Sequence, residues 1–200
     1  MKYRRQRTKP KDIAYSLYLY FLGLSYRSTA KALDRFVERS HVSIWKWIQK
    51  YKPKRILTKR KKIDEFIIDE TLIKIGSKYV WLWIAIESKN RQILQIDISF
   101  ERNMLIAERF LSSLIKKYGK HHISTDGGSW YPQAGKFLKL RHHTHSPFEK
   151  SIIERTIQYI KDRIECFDDY FPCRKKKCKL KHIRNWLNLF VCYYNRGIRA

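Results

Sequence analysis

A change of hydrophobic period near residue 64 constrains the fold of this chain more than any other feature of its sequence. Three runs rich in β-branched and aromatic residues follow one another, separated by short turns at Gly76-Ser77 and at Lys89-Asn90. The runs are DEFIIDETLIKI (64–75), KYVWLWIAIES (78–88) and RQILQIDISF (91–100). Turns this short join antiparallel neighbours. We therefore predict a meander of three antiparallel strands.

Helical and strand patterns alternate after the meander. The segments are an amphipathic helix (103–119), a short strand (121–128), a short helix (129–138), a strand (139–146) and a long helix (149–167). Strands joined through helices pair in parallel. The order βββαβαβα predicts an α/β chain with a mixed sheet of three antiparallel strands plus parallel strands, flanked by helices. It resembles the ribonuclease H-like fold, in which the first and fourth strands are neighbours and a later helix packs across the sheet.

The net charge of +26 indicates a polyanionic partner, because such an excess destabilises a compact chain unless it is screened. Residues 1–62 carry 19 basic against 3 acidic side chains, residues 63–154 carry 13 against 11, and residues 155–200 carry 12 against 4. The carboxylates therefore concentrate in the middle of the chain. A basic protein associated with RNA or the ribosome would explain the charge alone equally well.

Three helical segments precede the strands, at residues 12–25, 25–40 and 40–51. Ser28 is the expected cap of the second helix, and Ser40 and Ser43 are cap-competent at the third. Short helices ending in a basic, aromatic one predict a helix-turn-helix module over 1–50. A three-helix bundle with a solvated basic face is the alternative. The side chains expected on or near the groove-facing side are Ser43, Lys46, Gln49 and Lys50.

Residues 51–62 form a basic linker without periodicity, and residues 63–200 form the predicted core with a basic helical C-terminal segment. No uncharged apolar run reaches the length of about 18 residues that crosses a bilayer, so we expect a cytoplasmic protein. The cysteines lack a C-x-x-C pair, which favours reduced thiols over a zinc site. They are Cys166, Cys173, Cys178 and Cys192.

Three acids lie where this architecture would bring them together. Asp69 lies in the first strand, Asp126 at the end of the fourth, and Glu154 on the long helix. Two Mg²⁺ ions bound there would sit about 3.5–4 Å apart, one at the nucleophile and one at the leaving oxygen. Each acid also has a purely structural interpretation, Asp69 as a strand-end residue, Asp126 as a turn residue and Glu154 as a residue on a helix surface. Glu70 competes with Asp69, because neighbouring strand residues point to opposite faces and only one of the two can enter the site. Glu149 competes with Glu154.

Four blocks of the sequence resemble DDE-type transposases of small insertion sequences, which have an integrase-like core and an N-terminal helix-turn-helix. IDETLIKIGSKYVWLWIAIE is similar to the region of the first acid, STDGGSWYPQA to that of the second, and IIERTIQYIKDR to that of the Glu. LSYRSTAKAL…VSIWKWIQKY is similar to the helix-turn-helix. The chain departs from the family in having 27 residues between Asp126 and Glu154, a shorter spacing than usual, and Ile157-Gln158 in place of the frequent His-Arg.

The resemblance implies that Asp69, Asp126 and Glu154 form a triad binding two Mg²⁺ or Mn²⁺ ions, and that Lys161 and Arg163 contact DNA. It implies an enzyme that binds terminal inverted repeats, cleaves DNA strands and transfers them to target DNA, acting as a homodimer or larger assembly. It also implies a prokaryotic, nucleoid-associated protein. The departures bear on whether this copy is active.

Two other functions fit parts of the pattern. A non-catalytic sequence-specific DNA-binding protein, or an inactive or domesticated transposase remnant, shares the helices and charge but needs no acid triad. A ribonuclease or resolvase on the same scaffold would not need the N-terminal module. The His143/His145 stretch fits a metal site, or, as we expect, a strand with DNA-facing imidazoles.

Overall fold

The computed structural model describes residues 8–51, 63–75, 78–165 and 180–197. The chain divides into two compact units, Met1–Lys52 and Pro53–Ala200. Across the described ranges, no helix has both the length and the apolar character that a bilayer crossing requires.

The first unit consists of three helices, α1 (Pro10–Phe21), α2 (Tyr26–Leu33) and α3 (His41–Lys50). Their apolar faces pack together through fully buried side chains, namely Leu17, Tyr20, Leu33, Ile44 and Ile48. The cap predicted for α2 is wrong by one turn. Ser25 is the N-cap, and its Oγ accepts a hydrogen bond from the backbone N–H of Ser28. Because Tyr26 and Arg27 already have helical geometry, Ser28 lies inside the helix.

The second unit confirms the predicted order βββαβαβα, and a further helix lies in the C-terminal segment that was predicted to be helical. Its elements are β1 (Glu65–Ile75), β2 (Lys78–Glu87), β3 (Ile93–Ser99), α4 (Met104–Tyr118), β4 (His122–Thr125), α5 (Trp130–Phe137), β5 (His142–Thr144), α6 (Pro147–Glu165) and α7 (Leu180–Gly197). The strand β5 is much shorter than the predicted 139–146. Lys139 adopts φ 54°, a left-handed conformation that belongs to the turn after α5 and not to a strand.

The five strands form one mixed sheet in the order β3-β2-β1-β4-β5. The meander pairs are antiparallel, whereas β1–β4 and β4–β5 are parallel. The first and fourth strands are therefore neighbours, as predicted, and the fold is ribonuclease H-like.

The sheet buries different partners on its two faces. Phe66 and Ile68 of β1 join a core with Trp83 of β2 and with side chains of α4 and α5. Successive strand residues point to opposite faces, so Ile67 and Asp69 lie on the other side, where α6 packs against β1. This alternation places Asp69 toward α6 and Glu70 toward α5.

The helix α7 packs against the edge strand β3. The side-chain amide of Asn195 accepts a hydrogen bond from Ile93 N–H and donates one to Ile93 C=O, both at 2.9 Å. A strand edge otherwise presents unpaired backbone groups. The buried Asn195 therefore satisfies one residue of that edge and holds α7 on the sheet.

Candidate metal centre

The parallel pairing of β1 and β4 brings two of the predicted acids side by side. Ile67 is in register with Ser124. Asp69 lies two residues further along β1, and Asp126 directly follows Thr125, the last residue of β4. A carboxylate oxygen of each lies within 4.8 Å of the other. Residues two apart in a strand share a face, so Asp69 lies on the same side as Ile67, where α6 packs against β1.

Glu154 approaches the same place from α6. It lines an open cavity of about 490 Å³ together with Asp69 and Lys161. Lys161 is seven residues after Glu154, which is close to two helical turns and puts both side chains on one helix face. The Glu154 side chain is 58% exposed, with Lys150 Nζ at 3.9 Å, so it is free to reorient toward a ligand. The structure thus gathers Asp69, Asp126, Glu154 and Lys161.

Burial makes the site unfavourable for negative charge. Desolvation, strengthened by the charges of Asp126 and Glu154, raises the pKa of Asp69 to about 6. The backbone N–H of Glu70 opposes this shift by donating to Asp69 Oδ1 at 2.8 Å, and the Lys161 charge opposes it weakly. A divalent cation would remove the conflict, because it replaces the missing solvent and counters the repulsion between the carboxylates.

Glu70 corrects the expectation that only one of two neighbouring acids reaches the site. Its side chain starts on the opposite face, yet a carboxylate oxygen lies within 4.8 Å of those of Asp69 and Asp126. The strand β4 ends at Thr125, which the register places beside Ile68. Residues 69 and 70 therefore extend beyond the end of β4, and no strand separates the two faces on that side. We call Asp69, Glu70 and Asp126 the aspartate-centred cluster.

A second group of ionisable side chains lies toward the start of β1. Glu65, His143 and Glu149, here called the histidine-centred cluster, also have ligand atoms within 4.8 Å of one another. His143 Nδ1 is 3.3 Å from Glu65 and its Nε2 is 3.2 Å from Glu149. The side chain of His143 is thus tied to two carboxylates, although 47% of it is exposed. Glu149, the competitor of Glu154, belongs to this cluster.

Arg163 is the predicted DNA contact that the structure does not present to solvent. The residue is only 5% exposed, so its guanidinium lies in the interior of the second unit. Helical periodicity explains the difference, since Arg163 follows Ile160 on the buried side of α6, whereas Lys161 lines the cavity. The DNA contact predicted for Arg163 does not match this placement.

The predicted groove-facing residues of α3 lie away from its buried residues, Ile44 and Ile48. Lys46 and Lys50 are exposed and Ser43 and Gln49 are half-buried. Of the four cysteines, Cys192 is a buried residue of α7. Cys166, Cys173 and Cys178 lie outside the described residues, as do residues 52–62 of the predicted linker.

Comparison with known proteins agrees with this geometry. A family model described as a DDE domain matches residues 63–189. The transposase for the insertion sequence-like element IS431mec of Staphylococcus aureus is 31% identical, over 82% of this chain and 79% of that protein. This chain belongs to the DDE-type insertion-sequence transposases. An uncharacterised protein of Methanocaldococcus jannaschii is 32% identical to this family member, over 88% of this chain and 82% of that protein.

The fold of this transposase is also found in a solved integration complex. The cryo-EM structure of a simian T-cell lymphotropic virus intasome, in complex with the PP2A regulatory subunit B56 gamma, contains a chain that matches with a TM-score of 0.50. The match covers 88% of this chain and 67% of that one, at 17% identity. At this identity the likeness concerns the fold alone.

Proposed function

We propose that this transposase binds the ends of its own element, cleaves a DNA strand there and joins the freed 3′ end to target DNA. The observation that carries the proposal is that Asp69, Glu154 and Lys161 line one open cavity. A carboxylate oxygen of Asp126 lies within 4.8 Å of one of Asp69. A rigid sheet holds the two aspartates, while Glu154 and Lys161 come from a helix that packs on it. Such an arrangement fixes charged groups around a phosphate with little reorganisation.

The donor set fits Mg²⁺ or Mn²⁺. Every candidate ligand is a carboxylate oxygen, the hard donor that these ions prefer. Asp69, Asp126 and Glu154 would hold two such ions. When bound, the ions would supply activation of the attacking oxygen and stabilisation of the leaving oxygen.

The protein's own residues would position and balance charge. The ammonium of Lys161, two turns from Glu154, would contact a phosphate beside the scissile bond. In cleavage, a water oxygen bonds to phosphorus as the P–O3′ bond breaks, leaving a 3′-hydroxyl and a 5′-phosphate. In joining, that hydroxyl oxygen bonds to a target phosphorus as the target's P–O3′ bond breaks. One phosphodiester replaces another, so the joining step needs no external energy source.

DNA recognition is assigned by this proposal to the N-terminal unit. The exposed Lys46 and Lys50 of α3, with Ser43 and Gln49 beside them, would enter a groove of the terminal repeat. Residues 1–50 would act as the helix-turn-helix module, 51–62 as a basic linker and 63–200 as the catalytic core. Two element ends react together, so at least two copies would assemble on the DNA, in the cytoplasm.

The test replaces the three acids singly in the full chain, as Asp69→Asn, Asp126→Asn and Glu154→Gln, with Glu108→Gln on α4 as a matched control. Each site variant is expected to lose cleavage and strand joining by more than the roughly 100-fold that loss of an outer-shell metal partner costs. Binding to end DNA should persist in a mobility-shift assay. Unchanged cleavage in all three variants would reject the proposal, whereas end binding without any metal-dependent cleavage by the parent chain would support a non-catalytic DNA-binding protein.

A further inference from the structure

Glu70 carries a buried carboxylate oxygen whose hydrogen-bonding capacity is unused. Its side chain is 1% exposed, and its Oε1 accepts no hydrogen bond from any residue that the structure describes. The other oxygen, Oε2, accepts a hydrogen bond from the hydroxyl of Tyr131. Leaving a buried carboxylate oxygen unsatisfied is costly, and native proteins do so rarely. The position of this oxygen therefore requires an explanation.

The unused oxygen belongs to the aspartate-centred cluster. Carboxylate oxygens of Asp69, Glu70 and Asp126 lie within 4.8 Å of one another. Oxygens that share one Mg²⁺ at about 2.1 Å are separated by about 3–4 Å, depending on their angle at the ion. A movement of less than about 2 Å would thus bring all three onto one cation. The distances therefore allow Glu70 to bind the same cation as its neighbour Asp69.

The closest cation to Glu70 within the described residues is held too far away to satisfy it. Arg102 Nη1 lies 3.5 Å from Glu70 Oε1, which makes an ion pair without a hydrogen bond. The Arg102 guanidinium carbon lies 4.1 Å from the ring centre of Trp81 and 4.4 Å from that of Trp130. A guanidinium stacked between two indoles gains from both rings, so moving it toward Glu70 would lose those contacts.

Trp130 is itself fixed next to the loop that carries Asp126. A Cβ on Gly128 would lie 2.6 Å from Trp130 Cζ2, so only glycine leaves space for the indole there. The N–H of the same Gly128 donates to Asp126 Oδ1 at 2.9 Å. The contact with Trp130 therefore fixes Arg102 relative to the loop that carries Asp126. The hydrogen bond from Tyr131 fixes Glu70 relative to α5, the helix that follows this loop.

We infer that Glu70 is a fourth carboxylate of the metal centre, which offers Oε1 to a divalent cation together with Asp69 and Asp126 while Tyr131 holds Oε2. The inference rests on the proposed function, since it adds a ligand to the same site. Arg102 then acts as a positioning residue that limits the negative charge around the ion without occupying the ligand position.

The test is a calorimetric titration of the metal-free full chain with Mn²⁺, compared among the parent, Glu70→Gln, Tyr131→Phe, Asp69→Asn and Glu108→Gln. Glu70→Gln is expected to weaken Mn²⁺ binding by about 10–100-fold, the loss typical of a disturbed metal site. Tyr131→Phe should weaken it less, because Oε1 remains, and Glu108→Gln should not change it. Thermal unfolding without metal establishes that each variant is folded. If Glu70→Gln does not fold, Glu70→Asp, which withdraws the oxygen by one methylene, is measured in its place and should show the same loss.

The outcomes separate this inference from the function on which it rests. Parent-like Mn²⁺ affinity in Glu70→Gln, with affinity lost in Asp69→Asn, would overturn the ligand role and leave the proposed function intact. Equal losses in Glu70→Gln and Tyr131→Phe would also overturn it, since they would show that Glu70 acts only by anchoring Tyr131. Parent-like affinity in both Glu70→Gln and Asp69→Asn would reject the metal centre itself.

Discussion

The same strand carries two carboxylate clusters that look alike in composition and spacing but differ in how their charges are compensated. The histidine-centred cluster begins with Glu65, and the aspartate-centred cluster begins four residues later with Asp69. In both, three potential ligand atoms lie within 4.8 Å of one another. Proximity alone therefore does not distinguish a metal site from a structural ion network.

The histidine-centred cluster is closed by its own neighbours. Glu149 Oε2 accepts hydrogen bonds from the backbone N–H of Ser146 at 2.7 Å and from Ser124 Oγ at 3.2 Å. The two ring nitrogens of His143 lie 3.3 Å from a carboxylate oxygen of Glu65 and 3.2 Å from one of Glu149. In the aspartate-centred cluster, by contrast, Glu70 Oε1 has no such donor among the described residues. An unsatisfied carboxylate oxygen therefore distinguishes the cluster that we propose as the metal centre from the one that is neutralised internally.

The pKa shifts follow the same division. Burial, and then the charges of Asp126 and Asp69, raise the pKa of Glu70 to about 7 against the opposing hydrogen bond from Tyr131. Burial and the hydrogen bond with Glu149 likewise raise the pKa of Glu65 to about 7. Although burial acts in the other direction, hydrogen bonds from Ser146, Glu65 and His143 hold the pKa of Glu149 at about 2. The aspartate-centred cluster thus has two carboxyl groups with raised pKa values, whereas the histidine-centred cluster has one with a raised and one with a lowered pKa.

The largest expected contrast is in the pH dependence of stability without metal. A raised carboxyl pKa means that the folded chain binds more protons than the unfolded chain, so the aspartate-centred cluster should lose stability, on the order of a few kcal/mol, from about pH 4 to about pH 7. The histidine-centred cluster should gain stability from about pH 2 to about pH 4.5 and lose it again toward about pH 7. Urea unfolding across this range measures both.

Substitutions in the aspartate-centred cluster show which part of the pH dependence of stability comes from that cluster. The double change Asp69→Asn and Glu70→Gln should flatten the decline below neutral pH, and added Mg²⁺ should offset it in the parent chain, because the ion competes with protons for the carboxylates. If the free energy of unfolding of the double variant falls as steeply with pH as that of the parent, the two clusters do not differ in the way described.

A medium effect is expected when Glu149 loses its charge. Glu149→Gln should lower the free energy of unfolding near neutral pH by about 1.5–3 kcal/mol, since hydrogen bonds to a charged group are lost. Mn²⁺ affinity should stay at the parent value, because Glu149 is not at the metal centre. Chemical unfolding and the Mn²⁺ titration check the two statements. A drop in Mn²⁺ affinity comparable to that of Glu70→Gln would show that the clusters are not independent.

The smallest effect is expected at His143, whose side chain is about half exposed. His143→Gln should cost less than about 1 kcal/mol, because ion pairs in contact with solvent contribute little. DNA cleavage should remain within a few-fold of the parent, as measured on end DNA with Mg²⁺. Loss of cleavage together with retained stability would instead support the expectation of a DNA-facing imidazole.

The order of strands and helices was predictable because it depends on local periodicity. The β-branched runs from residue 65 onward and the amphipathic pattern of α4 identify their elements almost to the residue. The failures were also local in origin. The N-cap of α2 is Ser25 and not Ser28, and β5 is shorter than predicted. In both segments several residues are compatible with the end of the element, so the sequence pattern does not identify which of them is the end.

Tertiary packing decided what periodicity left open in the site. Arg163 looked like a DNA contact by its position in a motif, but its burial depends on what packs against α6. Glu70 looked like the wrong neighbour of Asp69, because strand alternation sends it to the opposite face. The signal that could have found it is its length, which allows its carboxylate to pass the end of a neighbouring strand.

Periodicity, turn residues and motif spacing are properties of short segments, so they were enough to predict the architecture, the family and the candidate acids. Which of these acids lie close together, and which are neutralised by neighbouring donors, could be read only from the three-dimensional structure. The reason is that register and burial are set by contacts between segments far apart in the chain. The pairing of Ile67 with Ser124 places Asp126 beside Asp69. Tyr131, 61 residues after Glu70, donates a hydrogen bond to one carboxylate oxygen of Glu70, and the other accepts none from the described residues.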